Sequence, residues 1–412
     1  MMLCKFLRQF VRLGTIVVIG PRGQSEQITA TETPRVTIRI KTRVLSPKLI
    51  FSPNFYLAEA YVNGDLKIEE GELSDLLTIL MCSISDNSHP TLFDRLRAHL
   101  SHIVDSCIRN GGISRIRRQV QYHYDLSDDF FKLFLDQNMQ YSCAYFLDNL
   151  KSLDAAQIAK MQHIAAKLSL RPEQRVLDIG SGWGGLAKFL NAAYHVDVTG
   201  ITLSVNQQVA SERGTSSEGV RFQLKDYRNE QGSYDRIVSV GMLEHVGYQN
   251  YMTYFAKVEE LLRDDGIALV HTIARRGIPT PVNLWIRRRI FPGVYVPSLS
   301  QLAAVIERTG LWILDCENLR LHYAKTLQSW RFRLEAHKSR VEHTFGERFY
   351  RAWEFYLTSC ELGFRYQGLT VYQLLLGKRP DSAPLTRDYI YDEEARLRAL
   401  TVFADAPARA AE

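Results

Sequence analysis

A glycine-rich stretch, VLDIGSGWGG from Val176 to Gly185, carries the clearest pattern in the sequence that could do chemistry. Its glycines follow the spacing G-x-G-x-x-G at Gly180, Gly182 and Gly185, after an apolar run and before the helix-like LAKFLNAAY. A strand, a tight turn and a helix start in this order let a nucleotide-like ligand approach bare backbone. Asp178, just before the first glycine, would repel a pyrophosphate and attract an ammonium group. The stretch therefore predicts a cofactor site.

The residues that follow favour a cofactor without phosphate. A dinucleotide site needs an acidic residue at the end of the second strand to hold the adenosine ribose. Here Thr202, Leu203 and Ser204 occupy that place, and Asp197 comes too early. Asp226 follows the third strand, where a carboxylate can accept a hydrogen bond from the adenine amine. S-adenosylmethionine has an ammonium, a sulfonium and no phosphate, so the ordered set predicts this cofactor.

The elements that must position these residues alternate between strand and helix. Apolar runs predict strands at 175–179, 196–202, 219–224, 235–240 and 267–273, and helical periodicity covers 184–194, 204–213 and 250–263. Such alternation predicts an α/β fold with a doubly wound, Rossmann-like parallel sheet. Ligands of these sheets bind at the carboxyl ends of the strands, where each of the motifs above falls. After residue 274 the alternation stops, and 275–385 is interpreted as a helical cap insertion.

The rest of the chain predicts a small N-terminal α+β domain over 1–108, a linker over 109–120 and a catalytic domain over 121–385. The segment 36–45 alternates apolar and polar residues like a half-buried strand, and helical patterns cover Tyr56 to Leu80 and Thr91 to Cys107. Gly111 and Gly112 break the chain. The last part, 386–412, is predicted to be a loosely ordered tail.

Composition narrows the class of protein. Of 412 residues, 46% are hydrophobic and 23% charged, as in ordinary soluble proteins, and no apolar run reaches the roughly 20 residues of a membrane span. The six cysteines form no C-x-x-C pair, which argues against a disulfide framework and a zinc site and predicts a reducing cytoplasm.

The net charge of +6 is unevenly distributed along the chain. Nine Lys or Arg fall within residues 1–50, and a second cluster runs from Arg275 to Arg289 with no acidic residue before Glu307. These clusters are either solvated surface or binding sites for an anionic partner, a nucleic acid or a phospholipid surface.

Seven motifs in order give the sequence a family resemblance. They are HYDLSDDFF, MQYSCAYF, VLDIGSGWGGLA, GITLSVNQ, DRIVSVGMLEHVG, HTIA and WIRRRIFPGVYVPS. Over about residues 120–378 the chain resembles the cyclopropane-fatty-acyl-phospholipid synthases and the related mycolic-acid-modifying enzymes, with a looser resemblance in the N-terminal domain. The resemblance implies a class I methyltransferase fold.

The resemblance also implies an activity. Such enzymes transfer the methyl group of S-adenosylmethionine to a cis double bond of a phospholipid acyl chain. The carbocation that results can be stabilised by aromatic faces, and a bound bicarbonate then removes a proton so that a cyclopropane ring closes. The implied partners are unsaturated acyl chains and the inner face of a membrane, bound peripherally from the cytoplasm, with no nucleic acid and with a homodimer as the assembly.

The family's functional residues carry over onto matching positions. The bicarbonate ligands map to Cys143, Glu244, His271, the Ile273 backbone and Tyr323. The cofactor-binding positions map to Tyr141, Ser142, Asp178, Gly180, Gly182, Gly184, Gly185, Thr202, Leu203, Ser204, Asn206, Gln207, Asp226 and Tyr227. Cys360 matches a cysteine assigned to the family's active site. In this chain, however, it continues a helical stripe of aromatic residues that is more typical of a packed core.

The sequence departs from the family pattern at four positions. Ser181 replaces a cysteine in the glycine loop, and Ser127 replaces a glycine in HYDLS. Val294 and Tyr295 are bulkier than the usual residues of the segment expected to shape the acyl slot. The alternative to ring closure is therefore a fatty-acyl C-methyltransferase that yields a methyl-branched chain.

Overall fold

The computed structural model of the protein describes residues 2–85, 127–147, 152–213, 218–277 and 281–399. Their contacts divide the chain into two compact units. The first comprises the described residues of Met1–Phe134, Arg275–Ser298 and Tyr323–Thr370. The second comprises those of Leu135–Ala274, Leu299–His322 and Val371–Glu412. None of the described helices combines the length and apolarity that a membrane crossing requires.

The strands and helices are numbered in chain order. The strands are β1 Thr15–Ile19, β2 Ser25–Thr29, β3 Arg35–Ile40, β4 Leu66–Glu70, β5 Arg175–Ile179, β6 Asp197–Thr202, β7 Val220–Leu224, β8 Tyr234–Val240, β9 Leu262–Arg275, β10 Trp312–Asn318 and β11 Leu369–Gly377. The helices are α1 Met2–Phe10, α2 Leu45–Phe51, α3 Pro53–Asn63, α4 Leu73–Ser85, α5 Asp128–Phe131, α6 Leu153–Leu168, α7 Gly185–Tyr194, α8 Val205–Glu212, α9 Leu243–Val246, α10 Tyr251–Leu261, α11 Leu284–Arg289, α12 Leu299–Ile306, α13 Arg320–Ala336, α14 Lys338–Phe345, α15 Glu347–Tyr366 and α16 Asp388–Ala399.

The N-terminal part of the first unit is a four-stranded sheet in the order β2-β1-β3-β4, with helices packed against it. The alternation predicted from residue 36 is confirmed, because Val36, Ile38 and Ile40 are buried. The continuous helix predicted from Tyr56 to Leu80 is wrong. Gly64 takes a φ of +72° and ends α3, and the chain then forms β4 before α4 begins.

Aromatic side chains pack the helical part of the first unit. The Phe130 ring centroid lies 5.5, 5.0 and 4.7 Å from those of Phe345, Phe349 and Trp353. The aromatic stripe of the sequence is therefore a packed face, as its helical spacing indicated, although Gly346 divides it between α14 and α15.

The second unit is built on a seven-stranded sheet of described residues in the order β10-β11-β9-β8-β5-β6-β7. The strands β9, β8, β5, β6 and β7 are parallel to one another, as the alternating pattern predicted. Since β5 and β8 lie side by side at the reversal of strand order, a ligand crevice is expected at their carboxyl ends.

The prediction that strands end at residue 274 is wrong. The strands β10 and β11 pair antiparallel and complete the sheet beyond β9. They were missed because long helices separate them and because β10 lies at the edge of the sheet, where its side chains are only half-buried and mix polar with apolar types.

The expectation of a loosely ordered tail is wrong for residues 388–399. They form α16, which packs on α6 and buries Ile390, Glu394 and Leu397. Residues 400–412, the predicted helix from Thr91 to Cys107 and the predicted linker lie outside the described residues, so those domain boundaries stay predictions.

Candidate active site

The glycine loop joins β5 to α7 with bare backbone facing open space. Gly182 has a φ of +56°, and a Cβ added there would meet no other atom within 4 Å. At Gly185 an added Cβ would collide with the Asn138 carbonyl oxygen, so close packing of the helix start explains that glycine. The first of these glycines leaves room for a ligand and the other lets the helix pack closely, as the motif predicted.

Asp178 ends β5 with a carboxyl group that is incompletely satisfied. It is buried, and its Oδ2 has no hydrogen-bond partner among the described residues. Burial raises the pKa of Asp178 to about 7, although the nearby Lys160 opposes the shift. A buried carboxylate oxygen without a partner beside an open glycine loop fits the ammonium group of S-adenosylmethionine.

The segment after β6 is held by its own side chains. The Ser204 hydroxyl accepts from the Gln207 N–H at 3.3 Å and caps α8. The Thr202 hydroxyl donates to Gln207 Oε1 at 3.0 Å. This bond engages the amide oxygen of Gln207, so the amide N–H groups are the donors that a ribose hydroxyl can use. Leu203 is half-buried and Asn206 exposed on the same segment.

Asp226 has a partner that the sequence reasoning missed. Arg228 donates to Oδ1 at 2.8 Å and to Oδ2 at 2.6 Å. Burial would raise the pKa of Asp226, but the hydrogen bonds from Arg228 lower it below its ordinary value. The predicted bond to adenine stays a prediction, and it would use the remaining lone pairs of a carboxylate already bound to Arg228. Tyr227 beside it is buried against Tyr254, with ring centroids 5.3 Å apart.

The loop containing Tyr141 and Ser142 is fastened to α6. Gln157 donates to the Ser142 carbonyl oxygen at 3.0 Å, and Lys160 donates to the Ser142 hydroxyl at 3.1 Å. Lys160 is completely buried, and burial lowers its pKa to about 8. Ser142 also approaches Gly241 at the end of β8. These contacts bring the half-buried Tyr141 and the buried Cys143 to the carboxyl edge of the sheet.

Glu244 is the second buried carboxyl group at this edge. Its Oε1 accepts from the Ile273 N–H at 2.6 Å, while Oε2 is buried and has no partner among the described residues. Burial raises the pKa of Glu244 to about 7, and the bond from Ile273 opposes the shift. Because the Ile273 N–H is engaged by Glu244, its predicted role as a donor to an anion requires that this bond be given up.

His271 lies two residues before Ile273 on β9 and is buried. Its carbonyl oxygen accepts from the Gly241 N–H at 2.9 Å, which joins the ends of β8 and β9. Burial lowers the pKa of His271 to about 3, and the charges of Lys160 and Lys167 add to the effect. The ring is therefore neutral at physiological pH.

Tyr323 and Cys360 lie in the first unit, and the other candidate residues lie in the second. Tyr323 is buried, with its ring 5.9 Å from that of Trp330 and 4.8 Å from that of Phe364. Burial raises the pKa of the Cys360 thiol to about 12, so the thiolate is not populated at neutral pH. By its exposure Cys360 is half-buried, and a protonated thiol in that position packs rather than reacts.

Residues 113–374 match the family model described as "Mycolic acid cyclopropane synthetase", which covers more than half of the chain. The chain belongs to this family.

Individual relatives agree with the family match. The cyclopropane-fatty-acyl-phospholipid synthase of Escherichia coli is 41% identical over 256 residues, 62% of this chain and 66% of that enzyme. The chain thus spans just under two thirds of the length of that relative. A probable fatty acid methyltransferase of Pseudomonas putida is 35% identical over 87% of this chain and 92% of its own length. The structure of mycolic acid cyclopropane synthase CmaA1 complexed with SAH and CTAB is 36% identical, with a TM-score of 0.60 over 63% of this chain and 97% of that one.

These findings confirm the family resemblance and the methyltransferase fold of the sheet. The structure also buries polar residues that the sequence did not identify as site residues, chiefly Lys160, Lys167 and Gln373. A signal for the lysines was present in the sequence, because Gln157, Lys160 and Lys167 recur on one face of an otherwise apolar helix, LDAAQIAKMQHIAAKL. A lysine at such a position usually faces solvent, so the pattern did not predict burial.

Proposed function

We propose that this member of the cyclopropane synthetase family transfers the methyl group of S-adenosylmethionine to a cis double bond of a phospholipid acyl chain and closes a cyclopropane ring. The observation that carries the proposal is the buried Glu244 carboxyl group. One of its oxygens has no partner among the described residues, and the other accepts from the N–H of Ile273, two residues along β9 from the neutral His271. The similarity to the Escherichia coli synthase supports the same activity.

The cofactor region supports S-adenosylmethionine as the methyl donor. When bound, S-adenosylmethionine supplies an electrophilic methyl group that an alkene can attack. Asp178 would accept from its ammonium group, and the glycine loop would contact it through backbone. Tyr141, Ser142 and the segment from Thr202 to Gln207 would enclose the rest of it. Lys160 donates a hydrogen bond to the Ser142 hydroxyl and so holds the Ser142 loop in place.

The region around Glu244 supports a bound bicarbonate, which would supply the base that removes the proton. An ionised Glu244 would repel this anion, so the two groups must share a proton. Glu244 has a pKa of about 7 because it is buried, so it can hold a proton at neutral pH and share it with such an anion through Oε2. Cys143 and Tyr323 are the further ligands that the family pattern proposes. His271 would donate from its ring.

Aromatic faces would stabilise the carbocation of the proposed reaction, as they do other cations. The cluster around Phe130 is not assigned this role, because Phe130 is fully buried among Phe345, Phe349 and Trp353. Since an alkene attacks a sulfonium directly, Cys360 is proposed only as a packing residue.

The first unit supports peripheral binding to an anionic leaflet. Phe51 is 84% exposed at the end of α2, and Val44 before it is exposed as well. On α11 the guanidinium of Arg288 lies 5.6 Å from the Phe55 ring centroid. Exposed apolar side chains beside basic ones are typical of surfaces that bind anionic lipid.

Membrane binding is tested by pelleting the protein with anionic and with neutral phospholipid vesicles. Arg288→Glu should weaken anionic binding several-fold, because each interfacial basic residue contributes about 1 kcal/mol. Arg308→Glu, an equally exposed arginine of the second unit, is the matched control. Equal losses in both variants, or retention on DNA in place of vesicles, would contradict the assignment.

The activity is tested with S-adenosylmethionine carrying a trideuterated methyl group and vesicles of cis-unsaturated phospholipid. We expect a released fatty acid that keeps two deuterium atoms and resists mild hydrogenation, since a ring has formed. A product that keeps all three deuterium atoms would mean methylation without closure, the activity that the Pseudomonas putida relative's name suggests. An unlabelled lipid pool would contradict both.

A further inference from the structure

The helix α6 buries four polar side chains on one face, and two of them have no place in the proposed chemistry. They recur at Gln157, Lys160, His163 and Lys167. The first two fasten the Ser142 loop. The last two, His163 and Lys167, are almost fully buried and point to another purpose. Buried charges are costly unless they are paired, so their contacts indicate what they do.

Lys167 leads directly to the active-site histidine. Its Nζ donates to Gln373 Oε1 at 2.9 Å, and Gln373 Nε2 lies 3.2 Å from His271 Nδ1. An ammonium group can only donate, so Gln373 must turn its oxygen to Lys167 and its amide nitrogen to His271. The amide nitrogen can only donate, so Nδ1 of His271 must accept. The single proton of the neutral ring is then on Nε2.

The far end of the network pairs Lys167 with a carboxylate. Lys167 and His163 both contact Glu317 Oε2, the latter at 2.6 Å, and the other nitrogen of His163 contacts Glu394 Oε1. Burial would raise the pKa of Glu317, but His163 and Lys167 lower it well below its ordinary value. His163 thus has one carboxylate at each ring nitrogen, and Arg398 also reaches Glu394, 3.4 Å from its Oε2.

We propose that Gln373 is a positioning residue that holds His271 in the Nε2–H tautomer, with Lys167 fixing the orientation of the Gln373 amide. This inference rests on the proposed function, because a bound bicarbonate is what the Nε2–H group would serve. A neutral imidazole has one donor and one acceptor nitrogen. If the proton moved to Nδ1, the ring would turn a lone pair towards an anion, and a hydrogen bond would become a repulsion.

Gln373→Glu tests the inference because it keeps the shape and the contact with Lys167 but reverses the polarity at His271. A carboxylate accepts, so Nδ1 of His271 must then carry the proton. Nitrogen shifts of selectively labelled histidine, measured at alkaline pH where the imidazole is neutral, distinguish the tautomers. We expect Nε2–H in the wild-type protein and Nδ1–H in Gln373→Glu. Nδ1–H in the wild-type protein would overturn the inference.

The kinetic consequence is a selective loss of bicarbonate affinity. In Gln373→Glu the bicarbonate concentration for half-maximal activity should rise about tenfold, the effect of one lost hydrogen bond to a charged group. KM for S-adenosylmethionine should not change. In Gln373→Met, whose side chain neither donates nor accepts a strong hydrogen bond, the bicarbonate concentration for half-maximal activity should lie between those of the wild type and Gln373→Glu. Equal bicarbonate affinity in the wild-type protein and Gln373→Glu, with the tautomer reversed, would overturn the positioning role.

Tyr234→Phe is the matched control for a lost buried hydrogen bond. Its hydroxyl donates to Glu230 Oε1 at 3.0 Å at the other end of β8. Its bicarbonate dependence should match the wild type. If wild-type activity does not depend on bicarbonate, the proposed function fails, whereas the nitrogen shifts still decide separately whether Gln373 sets the tautomer.

Discussion

The regions around Asp178 and Glu244 contain the same unusual feature in different surroundings. Both carboxyl groups are buried at the carboxyl edge of one sheet, and each has one oxygen with no partner among the described residues. Asp178 lies near a buried lysine and an open glycine loop. Glu244 is anchored to the backbone N–H of Ile273, two residues along β9 from the neutral His271. These surroundings suit Asp178 to binding a cation and Glu244 to binding an anion with which it shares a proton.

The largest effect is expected from removing the carboxyl group of Glu244. In Glu244→Gln the amide cannot exchange a proton with an anion, so ring formation should fall about 10²- to 10⁴-fold, the usual value of a proton-transfer residue. Product analysis with the trideuterated cofactor measures this loss. S-adenosylmethionine affinity should not change.

Glu361→Gln is the control for Glu244→Gln, because Glu361 is also a buried glutamate but lies in an ion pair with Arg331 and Arg365. It should lose stability and keep its activity per folded molecule. Full ring formation in Glu244→Gln would remove the distinction between the two regions.

A smaller effect, on cofactor binding rather than on ring formation, is expected from changing Asp178. Asp178→Asn should weaken S-adenosylmethionine binding about 10- to 100-fold, because a charge-assisted bond to the ammonium is lost. Titration calorimetry measures it, with Glu244→Gln as the comparison that keeps its affinity. An unchanged Kd in Asp178→Asn would show that the region around Asp178 does not select a cation.

The stability of the protein should also depend on pH through Glu244. Its pKa rises from 4.5 to about 7 on folding because of burial, so the folded state binds a proton more tightly than the unfolded chain. This contribution is complete below about pH 4.5 and is lost as the pH rises through 7. As the pH rises from about 5 to 8, the wild type should therefore lose stability that Glu244→Gln does not lose. The free energy of unfolding of the variant minus that of the wild type should increase by on the order of 1–3 kcal/mol over this range.

Urea unfolding at the two pH values measures that change. Gln373→Met changes no titrating carboxyl group and is the control. A constant difference between Glu244→Gln and the wild type across the range would mean that Glu244 is not protonated in the folded protein.

The smallest effect is expected outside both regions. Cys360→Ala should keep activity within about twofold and cost on the order of 1 kcal/mol of stability, because a half-buried thiol is replaced by a smaller side chain. Thermal unfolding and the labelled-product assay measure the two quantities. A loss of activity as large as that of Glu244→Gln would assign Cys360 a chemical role.

The sequence allowed prediction of the features that depend on local pattern. The run into Gly180 is apolar, and Asp178 precedes it, so the strand, the turn and the cofactor chemistry were all visible within a few residues. Strands β10 and β11 pair across a long separation in the chain, and no local pattern records such a pairing. The partners of Lys167 lie 150 and 206 residues away, so a lysine on an apolar face could not be recognised as buried and paired.

The position of β11 has a consequence for synthesis of the chain on the ribosome. It lies between β9 and β10 in the sheet but is the last of the described strands in chain order. Until residue 377 has emerged, β9 has an unpaired edge, which is a site for association with other nascent chains. Gln373 on β11 and Glu394 on α16 also arrive late. We therefore expect nascent chains that stop before β11 to have the cofactor loop and to lack the Gln373 contact that holds His271.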